Sequence, residues 1–306
     1  MFDLNRSTGM RIGPPLIAIK DIDKVLMFYE RYLDLQSVKE YVDHHGNLTY
    51  EVYFRHDSPE SNDLPLLLLQ HDPDARSASP HSAGLFHFAI LLPHRKDLAS
   101  TYLALKESGV RFDGFADHLV SESLYLRDPE NNGIEIYRDR PMEEWPRDSE
   151  GHLIMDTLPL DLQSLLSEMN KDESSNAIPF PTGGRIGHIH LRVTNLERSI
   201  RFYHEKLGLD LTVDWRSMGA AFLSKGGYHH HIGINTWYSL DGEFHEEDMN
   251  GLINFTITTS NMSYFNLVKS NILHDSLSGE QRRHTTESNQ FTVTDPNGIQ
   301  IVIRID

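Results

Sequence analysis

The chain repeats itself, and the repeat limits the possible folds more than any other feature. Residues 17–35 align without a gap to residues 191–209, with Phe28 opposite Phe202 and Leu35 opposite Leu209, at a constant offset of 174 residues. Each copy reads as a short strand, a polar turn and a helix. The apolar positions fall at three- and four-residue spacing, as in Val25, Met27 and Phe28 of the first copy and Leu196, Ile200 and Tyr203 of the second. A second matching pair, Gly84–Leu92 and Gly251–Thr259, sets His87 opposite Asn254. Helical stretches follow at 95–108 and 261–271. Asp128-Pro and Asp295-Pro then open Gly-containing turns into a last strand.

These repeats predict an α+β chain of four βαβββ modules, beginning near Ile12, Gly84, Gly187 and Gly251. Two modules build each domain: residues 1–140 form the first and 185–306 the second. The stretch 141–184 is rich in Pro, Ser and acidic residues, carries one short helix candidate at Asp161–Met169, and reads as the connection. Duplication fixes an architecture. By itself it implies packing and no chemistry.

Composition narrows the chemistry. The 306 residues hold 28 Lys+Arg against 45 Asp+Glu, a formal charge of −17, which disfavours nucleic acid and anionic lipid as partners. No run reaches the length of a membrane span, and the N-terminal residues lack the apolar stretch of a secretion signal, so the expected compartment is the cytoplasm. There are 18 His and no Cys. Any transition-metal site must therefore be built from imidazole and carboxylate.

Strand alternation picks out the candidates. In residues 86–92, Phe88, Ile90 and Leu92 share the helix side, leaving His87 and Ala89 on the open face. In 134–137, Ile134 and Ile136 pack, and Glu135 and Tyr137 face the other way. In 187–193, Ile189, Leu191 and Val193 pack, while His188, His190 and Arg192 face the cleft. Period two thus puts His87, Glu135 and His188 on concave faces. Two imidazoles and a carboxylate are the donors of a facial Fe(II) triad with open coordination positions; Zn or Mn accepts similar donors. Taken singly, each is most simply a hydrogen-bonded His or a solvent-facing Glu. A further cluster, His229-His230-His231, reads as strand and must present imidazoles to both faces, one of them a candidate acid–base group. Tyr125 is a candidate hydrogen-bond donor to an oxyanion and equally a packing residue. His44, His45, His56 and His71 stand in polar, loop-like contexts and read as solvated. No Gly-rich phosphate loop is present.

Four segments carry a resemblance that covers almost the whole chain: 84–93, 117–141, Ile186-Gly-His188-Ile-His, and 227–233. The sequence resembles the vicinal oxygen chelate superfamily of glyoxalases, bleomycin-resistance proteins and extradiol dioxygenases, and more closely its bacterial two-domain catechol-2,3-dioxygenase group. The resemblance implies glyoxalase/dioxygenase-type half-barrel domains and an iron site of His188, His87 and Glu135. It implies an acid–base His at His230, although strand phase favours His229 or His231. It also implies a substrate-side Tyr at Tyr125, with His118 as its neighbour. The first module has no His on its opening strand, and the fourth offers Asn254 and Gln300 in place of His87 and Glu135. Pairing of modules two and three across the connection explains where the donors are absent.

The expectation is an Fe(II)-dependent extradiol dioxygenase acting with O2 on a catechol-like diol, with Mn, Zn or Ni as other metals. The oligomeric state, homo-oligomer included, stays open. One alternative is a glyoxalase-type metal lyase or isomerase, for which Gln300 is a poor fourth ligand. Another is a binding protein that sequesters an aromatic drug or quinone, which would be metal-free.

Overall fold

The computed structural model describes residues 9–42, 46–55, 57, 64–174, 176–180, 183–276 and 288–306. His44, His45 and His56 lie outside the described residues. The chain divides into two compact units. One comprises residues 18–74 and 87–187; the other comprises 1–17, 75–86 and 188–306. The division falls within two strands, between Phe86 and His87 and between Gly187 and His188.

The first module contributes β1 (Arg11–Ile12), β2 (Leu16–Ile19), α1 (Ile22–Arg31), β3 (Leu35–Val42), β4 (Leu48–Phe54) and β5 (Leu67–His71). Asp21 caps α1 by accepting from the Lys24 amide, and Ile22, Val25 and Tyr29 form its buried stripe. Strands β3, β4 and β5 make an antiparallel meander. The second module holds β6 (Gly84–Leu92), α2 (Arg95–Glu107), β7 (Phe112–Asp117), β8 (Ser121–Arg127) and β9 (Gly133–Asp139). Strand β6 runs parallel to β9, and β9, β8 and β7 follow as antiparallel neighbours. Ile134, Ile136, Phe88 and Ile90 are at most 1% exposed, which is the core face the alternation predicted.

Residues 141–184 are not bare linker. They hold α3 (Leu162–Leu166) and α4 (Lys171–Ser174), and Trp145, Leu160, Leu165 and Phe180 are buried. Asp161 caps α3 at the start of the helix candidate at 161–169. A buried carboxylate anchors the stretch. Glu122 accepts from Arg95 and Arg138 at 2.8 and 2.9 Å and pairs with Arg140 at 3.3 Å. Arg95 in turn reaches the Ser164 carbonyl and the Glu168 carboxylate. Burial acts to raise the Glu122 pKa, but the Arg95 hydrogen bond and the Arg138, Arg95 and Arg140 charges prevail and hold it below the ordinary value.

The third module has β10 (Arg185–Arg192), α5 (Leu196–Arg201, continued by one π-helical turn to Lys206), β11 (Asp210–Trp215), β12 (Ala220–Ser224) and β13 (Ile232–Asn235). The strands run in the order β11, β12, β13, β10, with β13 parallel to β10. The fourth has β14 (Gly251–Thr259), α6 (Met262–Ser276), β15 (Gln290–Thr294) and β16 (Gln300–Ile305). Strand β14 pairs parallel with β16 and antiparallel with β1. The α+β architecture of four duplicated modules is as the repeat predicted. No described helix is long and apolar enough to cross a membrane.

The Asp-Pro turns of the repeat have a buried purpose. Asp128 Oδ1 accepts from the Glu130 and Asn132 amides; its Oδ2 accepts from Asn132 Nδ2 at 2.8 Å and from the Tyr29 hydroxyl at 3.2 Å. Asp295 does the same with Asn297, Ile299 and the Tyr203 hydroxyl at 3.0 Å. Each tyrosine stands on the helix of one module and reaches the last turn of the next. Burial, partly offset by these hydrogen bonds, raises the Asp128 carboxyl to about 6 and raises Asp295 as well. Both tyrosines titrate well above the ordinary range, chiefly through burial and then through the facing aspartate.

Removing either hydroxyl, Tyr29→Phe or Tyr203→Phe, is expected to lower stability by about 1–2 kcal/mol, measured by urea unfolding, because a buried carboxylate loses a partner. The raised Asp128 pKa has a sign. The native carboxyl binds its proton more tightly than the unfolded one, so stability falls as pH rises from about 4 to about 6. Asp128→Asn should flatten that part of the stability curve, and an unchanged slope would contradict the assignment.

Candidate active site

The second module brings together three of the residues singled out above. Parallel pairing sets Ala89 opposite Glu135, and the antiparallel ladder sets Tyr125 opposite Glu135. His87, two residues before Ala89, points to the same side. His87 Nε2 then lies 2.9 Å from Glu135 Oε2, and both side chains are nearly fully buried. Ser123, opposite Tyr137 on the same face, donates its hydroxyl to Glu135 Oε1 at 2.6 Å.

Tyr125 sits beside this pair, its ring 5.7 Å from that of His87. Burial, then the Glu135 charge, raises its pKa well above the ordinary value, so it keeps its proton. Its hydroxyl lies 2.7 Å from His118 Nε2. His118 Nδ1 faces the Asp156 carbonyl at 2.8 Å. A carbonyl can only accept, so Nδ1 carries a proton, and in neutral His118 Nε2 accepts from Tyr125. The turn that presents His118 is pinned by bridges between Asp117 and Leu158 and puts Leu119 at φ 68, a left-handed conformation unusual for leucine. The Asp156 contact was not legible in the sequence, because it comes from the stretch that reads as a connection.

His188 lies on β10 with the alternation expected: Ile189 and Leu191 are fully buried in the core, and His188 and His190 face the other way. The glycine before His188 has a steric cause. A Cβ on Gly187 would run into the Tyr137 hydroxyl and approach Leu91 Cβ to 3.0 Å. Donor atoms of His87, Glu135 and His188 lie within 4.8 Å of one another, and all three residues are buried. The N, N, O donor set suits a divalent transition metal, and each of the three residues would supply one donor atom.

The three consecutive histidines differ from expectation. They lie in the irregular turn before β13, not in a strand, so neighbouring side chains need not alternate. His230 packs its ring 4.1 Å from that of His188 and 4.9 Å from Phe222. His229 turns to the same side, with its Nδ1 2.7 Å from His230 Nδ1. His231 faces away and bonds the Ser224 hydroxyl at 2.8 Å, and its main chain pairs with Leu223 and Ile189. One residue along β10, His190 is wrapped by Phe86, Phe222 and Trp237, with ring centroids 5.1–5.8 Å away. The Trp237 amide donates to Asn235 Oδ1, so Asn235 Nδ2 donates to His190 Nε2 at 3.0 Å. This aromatic wall went unread in the sequence, although Phe86 and Trp237 flank segments that were singled out.

Ser123→Ala leaves Glu135 without its 2.6 Å donor. Affinity for a divalent ion, measured by competition with a chelator, should fall about 10–100-fold, as for other groups that orient a metal ligand. An unchanged affinity would place the ion elsewhere.

The profile of the Glyoxalase/Bleomycin resistance protein/Dioxygenase superfamily matches residues 11–136 and 185–303. Catechol-2,3-dioxygenase of Bacillus subtilis (strain 168) is 38% identical over 286 residues, 93% of this chain and 93% of that protein. Biphenyl-2,3-diol 1,2-dioxygenase 3 of Rhodococcus globerulus is 38% identical over 61 residues, which span 20% of this chain and 32% of that one. Glyoxalase I from Zea mays shares the fold, with a TM-score of 0.57, 17% identity and 99% and 95% of the two chains covered. The cppA protein from Streptococcus pneumoniae TIGR4 shares it too, with a TM-score of 0.53, 10% identity and 97% and 98% covered. Matched over both halves, the chain belongs to the Glyoxalase/Bleomycin resistance protein/Dioxygenase superfamily.

Proposed function

We propose that this protein is an extradiol ring-cleaving dioxygenase that acts on a catechol-like substrate with O2. The observation that carries the proposal is the convergence of His87, Glu135 and His188 donor atoms beside Tyr125 and His230. The 38% identity to a catechol-2,3-dioxygenase over 93% of both chains supports the same reading.

His87, Glu135 and His188 would hold Fe(II), with Mn, Zn or Ni as competitors for the same donors. Bound there, the ion supplies Lewis acidity toward vicinal oxygens and electron exchange with O2. The chain's own groups do the rest. Ser123 orients Glu135. Tyr125 stays neutral, and its hydroxyl, engaged with His118 Nε2, offers the substrate a fixed oxygen. His230, packed on His188 and Phe222, is the group that accepts a substrate proton and returns it later. Burial of both histidines restricts water around these transfers.

The test is anaerobic loading with Fe(II), then addition of O2 and a panel of catechols, with the yellow ring-opened product as readout. Glu135→Gln and His188→Ala should each lower turnover by at least about a hundredfold, since a Lewis-acid ion contributes several kcal/mol to the barrier. Absence of turnover by the iron-loaded protein across the panel would reject the proposal. Activity on methylglyoxal with a thiol would move the chain to the isomerase branch of its family.

A further inference from the structure

We infer that His229 is the positioning residue for His230, fixing its tautomer so that Nε2 of His230 is free of a proton before substrate arrives. The inference rests on the reading that His230 takes a substrate proton.

The two Nδ1 atoms stand 2.7 Å apart, and both residues are buried, His229 at 0% and His230 at 5% exposure. At that distance two N–H groups repel, and so do two lone pairs. One proton must lie between them, so in the neutral pair the rings adopt opposite tautomers. If His230 donates, its Nδ1 carries the proton and its Nε2 is a base. His229 then accepts at Nδ1 and keeps its own proton on Nε2. If His229 donates, His230 Nε2 carries the proton and cannot act as base. Only the first arrangement suits the proposed role, and it places His229 where a carboxylate stands behind a catalytic imidazole in other enzymes.

The surroundings hold His229 for this task. The Thr212 hydroxyl spans the Phe222 and His229 carbonyls at 3.0 and 2.6 Å, tying the turn to β12. The Tyr228 ring stacks on the His229 imidazole at 4.1 Å and 36°. Phe222 and His188 flank the His230 ring, which restricts its rotation. The irregular backbone before β13 is what lets consecutive side chains meet at all.

Three variants and two readouts test this. In His229→Phe the acceptor is lost. In His229→Asn a side-chain oxygen can again accept from His230 Nδ1–H. His230→Gln identifies the His230 signals in ¹⁵N-histidine NMR of the metal-free protein. The expected wild-type spectrum shows His230 as the Nδ1–H tautomer, and His229→Phe converts it wholly or partly to the Nε2–H form. In the iron-loaded protein, His229→Phe should lower kcat about a hundredfold with KM changed little, and His229→Asn should restore most of it. A wild-type His230 in the Nε2–H form would overturn the inference, as would equal kcat losses in the Asn and Phe variants. If wild-type protein cleaves no catechol, the dioxygenase reading fails instead, and the NMR result still decides the tautomer.

Discussion

The register between β9 and its neighbours is the constraint on which the site depends. Glu135 faces Ala89 across a parallel ladder and Tyr125 across an antiparallel one, so His87, Glu135, Tyr125 and Ser123 project to one side. A slip of one residue in either ladder would send Ile134 to the site and Glu135 into the core. The core resists the slip, because Ile134 and Ile136 are essentially fully buried on the other face. A catalytic geometry of a few ångströms is thus enforced by ordinary apolar packing.

A hydrogen-bonding device present in both halves lets this fold hold a polar interior. Tyr29 with Asp128 and Tyr203 with Asp295 repeat one device: a helix tyrosine closes the hydrogen bonding of a buried aspartate in the following module's last turn. An isolated buried carboxylate would be costly, and each oxygen here has two donors. The device recurs in both halves, whereas Asn254 and Gln300 stand in the fourth module where the second has His87 and Glu135.

The stretch 141–184 shows how a segment without pattern can acquire a role. Its Pro and Ser content reads as connection, and it has little regular structure. It is nevertheless tied down through Arg95 and Glu122, and the Asp156 carbonyl meets His118 at 2.8 Å. A main-chain carbonyl has no residue identity, so no spacing in the sequence announces it.

The sequence by itself determined the α+β architecture, the four modules, and the faces on which His87, Glu135 and His188 lie; it left Tyr125 open between a site role and packing. Repeats and two-residue alternation are local properties, and side-chain polarity writes them directly. Only the tertiary structure decided the fate of the three adjacent histidines. Read as strand, they should alternate; in the turn before β13, His229 and His230 meet while His231 turns to Ser224. Turn geometry depends on how the turn is held between β12 and β13, through contacts such as that of Thr212 on β11 with the His229 carbonyl. Those contacts join residues distant along the chain, which no local pattern encodes.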